Sequence, residues 1–256
     1  MVTALKLELA IQNPAGALVA NHDSVRANRV ELCTALKDCG GITPSAAMIE
    51  AVVAATPIPV HVLIRCRPGP FCFTTDEVAV MVRDAALAIR AGAAGVVIGA
   101  LNVHGAIDVD AMRQISEAAW LVDPNASITC HRAMDVAIGA GFAEAAVEAL
   151  VQLGVGRVLT SGGAPRSIAG APVLAQLATQ AGGRLEIMAG GGVRPGDVAS
   201  LAAAGVDAVH LSAGSLIGQA GVGAGPGGGS EAGIEVTDLT KAAAMAQAVA
   251  VINQVG

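Results

Sequence analysis

Short apolar runs alternate with alanine-rich segments of helical period along the whole chain, which is the strand-helix-strand rhythm of a parallel sheet. The runs predict strands over Leu5–Ala10, Arg29–Cys33, Val60–Arg65, Gly95–Ala100, Ser127–Arg132, Arg157–Thr160, Glu186–Ala189 and Val206–Leu211. Helices are predicted over Ala15–Ala27, Ser45–Ala55, Thr75–Ala91, Val109–Leu121, Phe142–Leu153, Pro172–Gln180, Pro195–Ala204 and Thr237–Val255. Their ends carry suitable residues: Asp76 and Glu77 in a first turn, Pro195 at an opening, and Gly92, Gly154 and Gly205 at closings. Eight such units in 256 residues predict an α/β fold, a single closed (β/α)8 TIM-type barrel. A doubly wound open sheet would place a GxGxxG loop after the first strand, where this chain has Gln12, Asn13 and Pro14. The rhythm breaks only at 214–233, which holds nine glycines and predicts a flexible loop, either a lid over the mouth or a plain insertion.

Within the strands a second pattern appears. Side chains alternate between the barrel interior and the helix layer, and the interior is usually filled by Val, Ile and Leu. Here one parity is polar: Lys6 and Glu8; Arg29, Glu31 and Cys33; His61, Leu63, Arg65 and Arg67; Thr129 and His131; His210 and Ser212. With the apolar parity facing the helices, Glu8, Glu31, Arg65, His131 and His210 converge near the C-terminal mouth. Buried ionisable groups cost several kcal/mol apiece unless paired. Two readings follow: an internal network of Glu8 and Glu31 against Arg65 and Lys6, or a functional site at the strand ends. His61, four residues before Arg65, lies about 13 Å deeper and reads as structural.

Two loops suit an anion. Gly190, Gly191 and Gly192 run straight into a helix opening at Pro195, and Ser212 and Gly214 follow the eighth strand. Thr160 and Ser161 in the turn after the sixth strand add hydroxyls and amides beside them. The thiols give a competing site: Cys33 and Cys39 bracket one loop and Cys66 and Cys72 the next, and soft thiolates select Cu(I) or Zn(II). No CxxC or HxxxH spacing is present, and Cys130 has the parity that packs against a helix.

Composition narrows the class. The chain is 54% apolar with 32 glycines, one Trp, three Phe and no Tyr, which excludes disorder and argues against an aromatic β-sandwich. A net charge of −6 without a basic block argues against nucleic acid. No uninterrupted apolar stretch is long enough for a membrane span, and Lys6 and Glu8 interrupt the N-terminal apolar run that a signal peptide would need. The expectation is a cytoplasmic protein whose five cysteines are thiols.

Read together, NRVELC at 28–33, GGITPS at 40–45, IRCRPGPFCFT at 64–74, GVVIGALNVHGAID at 95–108, CHRAMD at 130–135, LTSGG at 159–163, AGGGVR at 189–194 and VHLSA at 209–213 make the chain resemble the CutC family, named for copper homeostasis. The resemblance implies a TIM-type barrel, a cytoplasmic location, a homodimer and a copper ligand, with Cys33 the matched thiol. Its strand-end residues fall on Glu8, Glu31, Cys33, Arg65, Arg67, His131, Arg132, Asp135, Thr160, Ser161, His210 and Ser212. The chain departs from the family pattern at Cys66 in place of Pro, Pro70 and His104 in place of Asp, and Cys130 in place of Phe.

Two functions compete. One is copper binding, as Cu(I), through Cys33 with Cys39, Cys66 or Cys72 assisting. The other is an isomerase or lyase acting on a small phosphorylated or carboxylated metabolite. There Gly190–Gly192 and Ser212–Gly214 would hold the anion, Arg65 and Arg132 would orient oxygens, and Glu31 or His131 would be the general base. No Schiff-base lysine is placed for the chemistry, since Lys37 and Lys241 fall in loop or helix and Lys6 lies at the floor. A non-catalytic interaction protein is the third reading.

Overall fold

The computed structural model describes residues 4–218 and 234–255. Eight parallel strands, β1 (Lys6–Ile11), β2 (Arg29–Leu32), β3 (Val60–Leu63), β4 (Gly95–Ile98), β5 (Ser127–Cys130), β6 (Arg157–Thr160), β7 (Glu186–Ala189) and β8 (Ala208–Leu211), close into a barrel in sequence order. Closure is made by β8 against β1, with Glu8 opposite His210. The main core lies between strands and helices, where Leu7, Leu9, Val30, Val62, Val96, Ile98, Ile128, Val158, Ile187 and Val209 meet the helices' apolar faces. This is the apolar parity of every strand, so the opposite parity fills the interior.

The helices are α1 (Pro14–Asn21), α2 (Leu36–Cys39), α3 (Ala46–Ala55), α4 (Thr75–Arg90), α5 (Val109–Trp120), α6 (Ala133–Gly139), α7 (Ala143–Gln152), α8 (Ala171–Ala181), α9 (Val198–Ala203) and α10 (Leu239–Val255). The predicted Ala15–Ala27 stops early, because residues 22–27 turn through Arg26 at φ 47°. The segment opening at Pro195 begins with a 3₁₀ turn before α9. The pattern did not reveal α2 or α6, each too short to show a helical period; α6 matters because Arg132 is its N-cap residue. Several strands end before their predicted last residue, where polar side chains leave the ladder for the mouth loops.

Gly214–Ile217, expected to begin the flexible loop, instead forms β9, paired antiparallel with β10 (Ile234–Thr237). The rest of the glycine-rich segment, 219–233, lies outside the described residues. Among the described residues no helix is long and apolar enough to cross a membrane.

The start of α4 provides a local test. Thr74 accepts from the Glu77 amide, and the Glu77 carboxylate accepts from the Thr74 amide at 2.8 Å, a capping box. Thr74→Ala should lower stability by about 1 kcal/mol in a denaturant titration; an unchanged midpoint would remove the cap from the account.

Candidate active site

The interior polar parity is largely consumed at the floor. Arg29 Nε donates to Glu8 at 2.5 Å and its Nη2 to Glu186 at 2.5 Å. Glu186 also accepts from Lys6 at 2.7 Å and from Arg157 at 3.0 Å, and Arg157 reaches His61, Ser127 and Thr129. Burial alone would raise the Glu186 carboxyl, yet Arg157, Arg29 and Lys6 bring it down to about 2. Burial pushes His61 down to about 4, consistent with a neutral structural ring.

An interior network therefore exists, but with partners other than Arg65. The Arg65 guanidinium donates to the carbonyls of Cys39, Gly41 and Gly69, clamping the loops after β2 and β3. Arg157 and Glu186 are absent from the polar parity read from the sequence. The signal was their shared parity with Leu159 and Met188, which also lie inside.

Above the floor, the structure brings together Glu8, Glu31 and His210. His210 Nδ1 lies 2.7 Å from Glu8 Oε1 and 3.9 Å from Glu31 Oε2. Burial opposes charge on all three. For Glu8 it is overcome by the His210 hydrogen bond and the positive charges of His210 and Arg29, which hold the carboxyl far below the carboxylate range. For His210 burial is overcome by the Glu8 hydrogen bond and both carboxylates, so its pKa rises. Glu31 has less help: burial and the Glu8 charge push it up to about 7 against the pull of His210 alone. It is 5% exposed, and its Oε2 has no hydrogen-bond partner among the described residues.

His131 stands apart. Its Nδ1 accepts from the Ala133 amide at 3.1 Å, which puts the proton of the neutral ring on Nε2, a buried nitrogen without a partner. Burial and the Arg65 charge push the imidazole down to about 3. Phe71 packs on the ring at 4.7 Å, and Arg65 lies over Phe71 at 5.1 Å. A Cβ at Gly99, just after β4, would fall 2.3 Å from the ring, so the chain carries glycine there. The sequence pattern identified neither Gly99 nor Phe71 as partners of His131.

The mouth opens on a 610 Å³ cavity lined by Arg132, Gly191, Gly192, Arg194, His210, Ser212 and Lys241 among others, with no carboxylate among the described residues of its lining. Gly191 and Gly192 turn through φ 102° and 68°. Gly190 spends its amide on the Thr160 carbonyl, and Gly214 lies in β9, its carbonyl accepting from Lys241 Nζ at 2.6 Å. Thr160 and Ser161 serve a carboxylate of the chain itself. Asp135 Oδ1 accepts from Thr160 Oγ1 at 2.5 Å, the Ser161 amide at 2.8 Å and the Gly163 amide at 3.1 Å. Asp135 Oδ2 holds Arg132 Nε at 2.7 Å, and Arg132 Nη2 donates to Ser161 Oγ. Another 610 Å³ cavity lies at the opposite end of the barrel, against Lys6, Asn28 and Asn253, away from this chemistry.

Among the described residues no group of three ligand side chains includes a thiol, although Cys39 lies near enough to Cys33 to act on its charge. Cys33 is fully buried in an apolar cluster with Leu63 and Val97, and burial drives its thiol far up. Cys39 donates to the Ala35 carbonyl at 3.3 Å and exposed Cys72 to the Asn102 carbonyl at 3.0 Å, while Cys66 is half-buried. Cys130 packs in the strand-helix core, its thiol pushed up to about 12 by burial. Thiolates are what Cu(I) requires, and burial opposes them here. Among the described residues the group of three side chains able to share a metal ion is Glu8, Glu31 and His210, with no thiol in it.

Residues 5–215 match the model of the CutC family. A CutC family protein of Xylella fastidiosa is 40% identical over 221 residues, covering 86% of this chain and 79% of its own. A Streptococcus agalactiae structure named as a copper homeostasis protein CutC superposes with a TM-score of 0.73 at 28% identity, covering 81% of this chain and 98% of that one. A 2,3-dimethylmalate lyase superposes with a TM-score of 0.60 at 14% identity, covering 83% of this chain and 77% of that one, a likeness of fold alone.

Proposed function

The chain belongs to the CutC family, named for copper homeostasis, and from that premise we propose that it is a barrel enzyme of the isomerase or lyase type, taking a small phosphorylated or carboxylated metabolite at the C-terminal mouth. One observation carries this reading: the His210 ring lines a cavity that also presents Arg132, Arg194 and Lys241 and, among the described residues, no carboxylate. Its Nδ1 is committed to Glu8, so Nε2 is the nitrogen left for a ligand. The bare backbone of Gly191 and Gly192 beside Arg194 suits the ligand's anionic end.

His210 Nε2–H is the donor that the cavity offers to a ligand oxygen carrying or gaining negative charge. Glu8 fixes the ring's tautomer and orientation, as a carboxylate does behind a catalytic histidine. Glu31 is absent from the cavity lining and lies behind His210, so it acts through that ring rather than on substrate. His131, beneath Phe71, is likewise absent from the lining. Copper carried on Cys33 and its neighbours has less support, since the matched thiol sits in an apolar cluster that opposes its ionisation. A reducing cytoplasmic setting fits the five free thiols.

Inorganic phosphate titrated into the full chain by calorimetry tests the anion seat. Wild type should bind it, and Arg194→Gln, an exposed substitution, should weaken binding about 10-fold or more, the worth of one charge-assisted hydrogen bond. Absence of phosphate binding, or an affinity unchanged from wild type in both Arg194→Gln and Lys241→Gln, would overturn the reading.

A further inference from the structure

We propose that Glu8, Glu31 and His210 form a site for a borderline divalent transition cation such as Zn(II) or Cu(II), set directly behind the mouth cavity. One ligand atom from each residue lies within 4.8 Å of the other two. The second observation is Glu31 itself: 5% exposed, its Oε2 has no hydrogen-bond partner and lies 3.9 Å from His210 Nδ1. A buried carboxylate oxygen left unpaired is costly, and a cation between it and the facing side chains satisfies it.

Glu8 is arranged for the same task. Its Oε2 is held by Arg29, while Oε1 faces His210. Loading replaces the proton shared between Oε1 and Nδ1, and that proton leaves to solvent. Arg29 keeps its Glu186 partner throughout. His210 Nε2–H stays directed to the cavity, so the donor of the proposed reaction is retained.

The ligand chemistry sets the ion. Two carboxylates and an imidazole suit divalent Zn, Cu, Mn or Fe, whereas Cu(I) selects thiolates and Mg(II) or Ca(II) all-oxygen sets. Two carboxylates neutralise a dication, and three protein ligands leave coordination positions open. The inference deepens the reading of the mouth as an enzyme site, but its evidence is independent of the anion seat.

The test is Zn(II) titration of the metal-stripped full chain, with Cu(II) and Cu(I) in parallel. One equivalent of Zn(II) per chain should bind, and Glu31→Gln and His210→Gln should each weaken it about 100-fold or more. A Cys33→Ser/Cys39→Ser variant should bind Zn(II) as wild type does. No Zn(II) binding, or unchanged affinity in Glu31→Gln, would overturn the site, as would loss of binding in the cysteine variant. Should Glu31→Gln fail to fold, NMR of wild type decides: Zn(II) should move the His210 ring resonances and leave those of His22, His61, His104 and His131 in place, and the reverse would sink the proposal. Phosphate bound by stripped protein that takes no Zn(II) would end this inference and keep the enzyme reading. Zn(II) bound at His210 without phosphate binding in either form would do the opposite.

Discussion

Arg29→Met is expected to lower the unfolding temperature by on the order of 10 °C, the equivalent of about 3–5 kcal/mol. Arg29 is 4% exposed and donates to both Glu8 and Glu186. Methionine restores the volume of its stem but leaves Glu8 charged, fully buried and held only by His210. Breaking a buried pair from one side costs more than the pair itself contributes, because the remaining charge stays desolvated. Adding Glu8→Gln to Arg29→Met should therefore recover part of the loss, a non-additivity read from a double-mutant cycle. The acid limb gives a second readout. Glu186 is depressed on folding from 4.5 to about 2, so its contribution is present above pH 4.5 and is lost as the pH falls toward 2. Arg29→Met removes one cause of that depression and should flatten the limb. A variant melting within about 2 °C of wild type, well below the shift expected for a broken buried pair, would show that the interior network is not what stabilises the floor.

Asp135→Ala should be comparably damaging at the opposite end of the barrel. One carboxylate oxygen accepts from Thr160 Oγ1, the Ser161 amide and the Gly163 amide, and the other holds Arg132. Thr160 and Ser161 are fully buried, so alanine leaves donors that water cannot reach, at about 1–3 kcal/mol each. The turn cannot relax toward its neighbour: a Cβ at Gly170 would fall 1.9 Å from the Ser161 carbonyl, so the two backbones are already in contact. Asp135→Asn keeps one oxygen acceptor and should recover about half the loss in a denaturant titration. Equal midpoints for the alanine and asparagine variants would show that the donors find other partners.

The sequence made much of this legible. Period-two alternation in strands such as Val60–Leu63, set between helices of period 3.6, specifies the barrel, because each pattern has one way to bury its apolar face. The same alternation marked Glu8, Glu31 and His210 as interior. It could not say which carboxylate meets which base. Arg65 was the expected partner of the glutamates, yet it is spent on loop carbonyls, while Arg29, Arg157 and Glu186 do the pairing at the floor.

Parity assigns a face, and only closure sets height and azimuth around the axis. Bringing β8 against β1 places His210 opposite Glu8, 202 residues away in the chain. The Thr160-Ser161 turn shows the same limit, since its amides read as an open anion cradle until α6, too short to be seen in the pattern, brings in Asp135. What the sequence by itself determined is the fold and the set of polar residues turned inward, because burial periodicity is local. What only the tertiary structure decided is which of them are satisfied, which is Glu31 left unpaired behind His210, because hydrogen bonds and ion pairs depend on distances that exist only once the barrel closes.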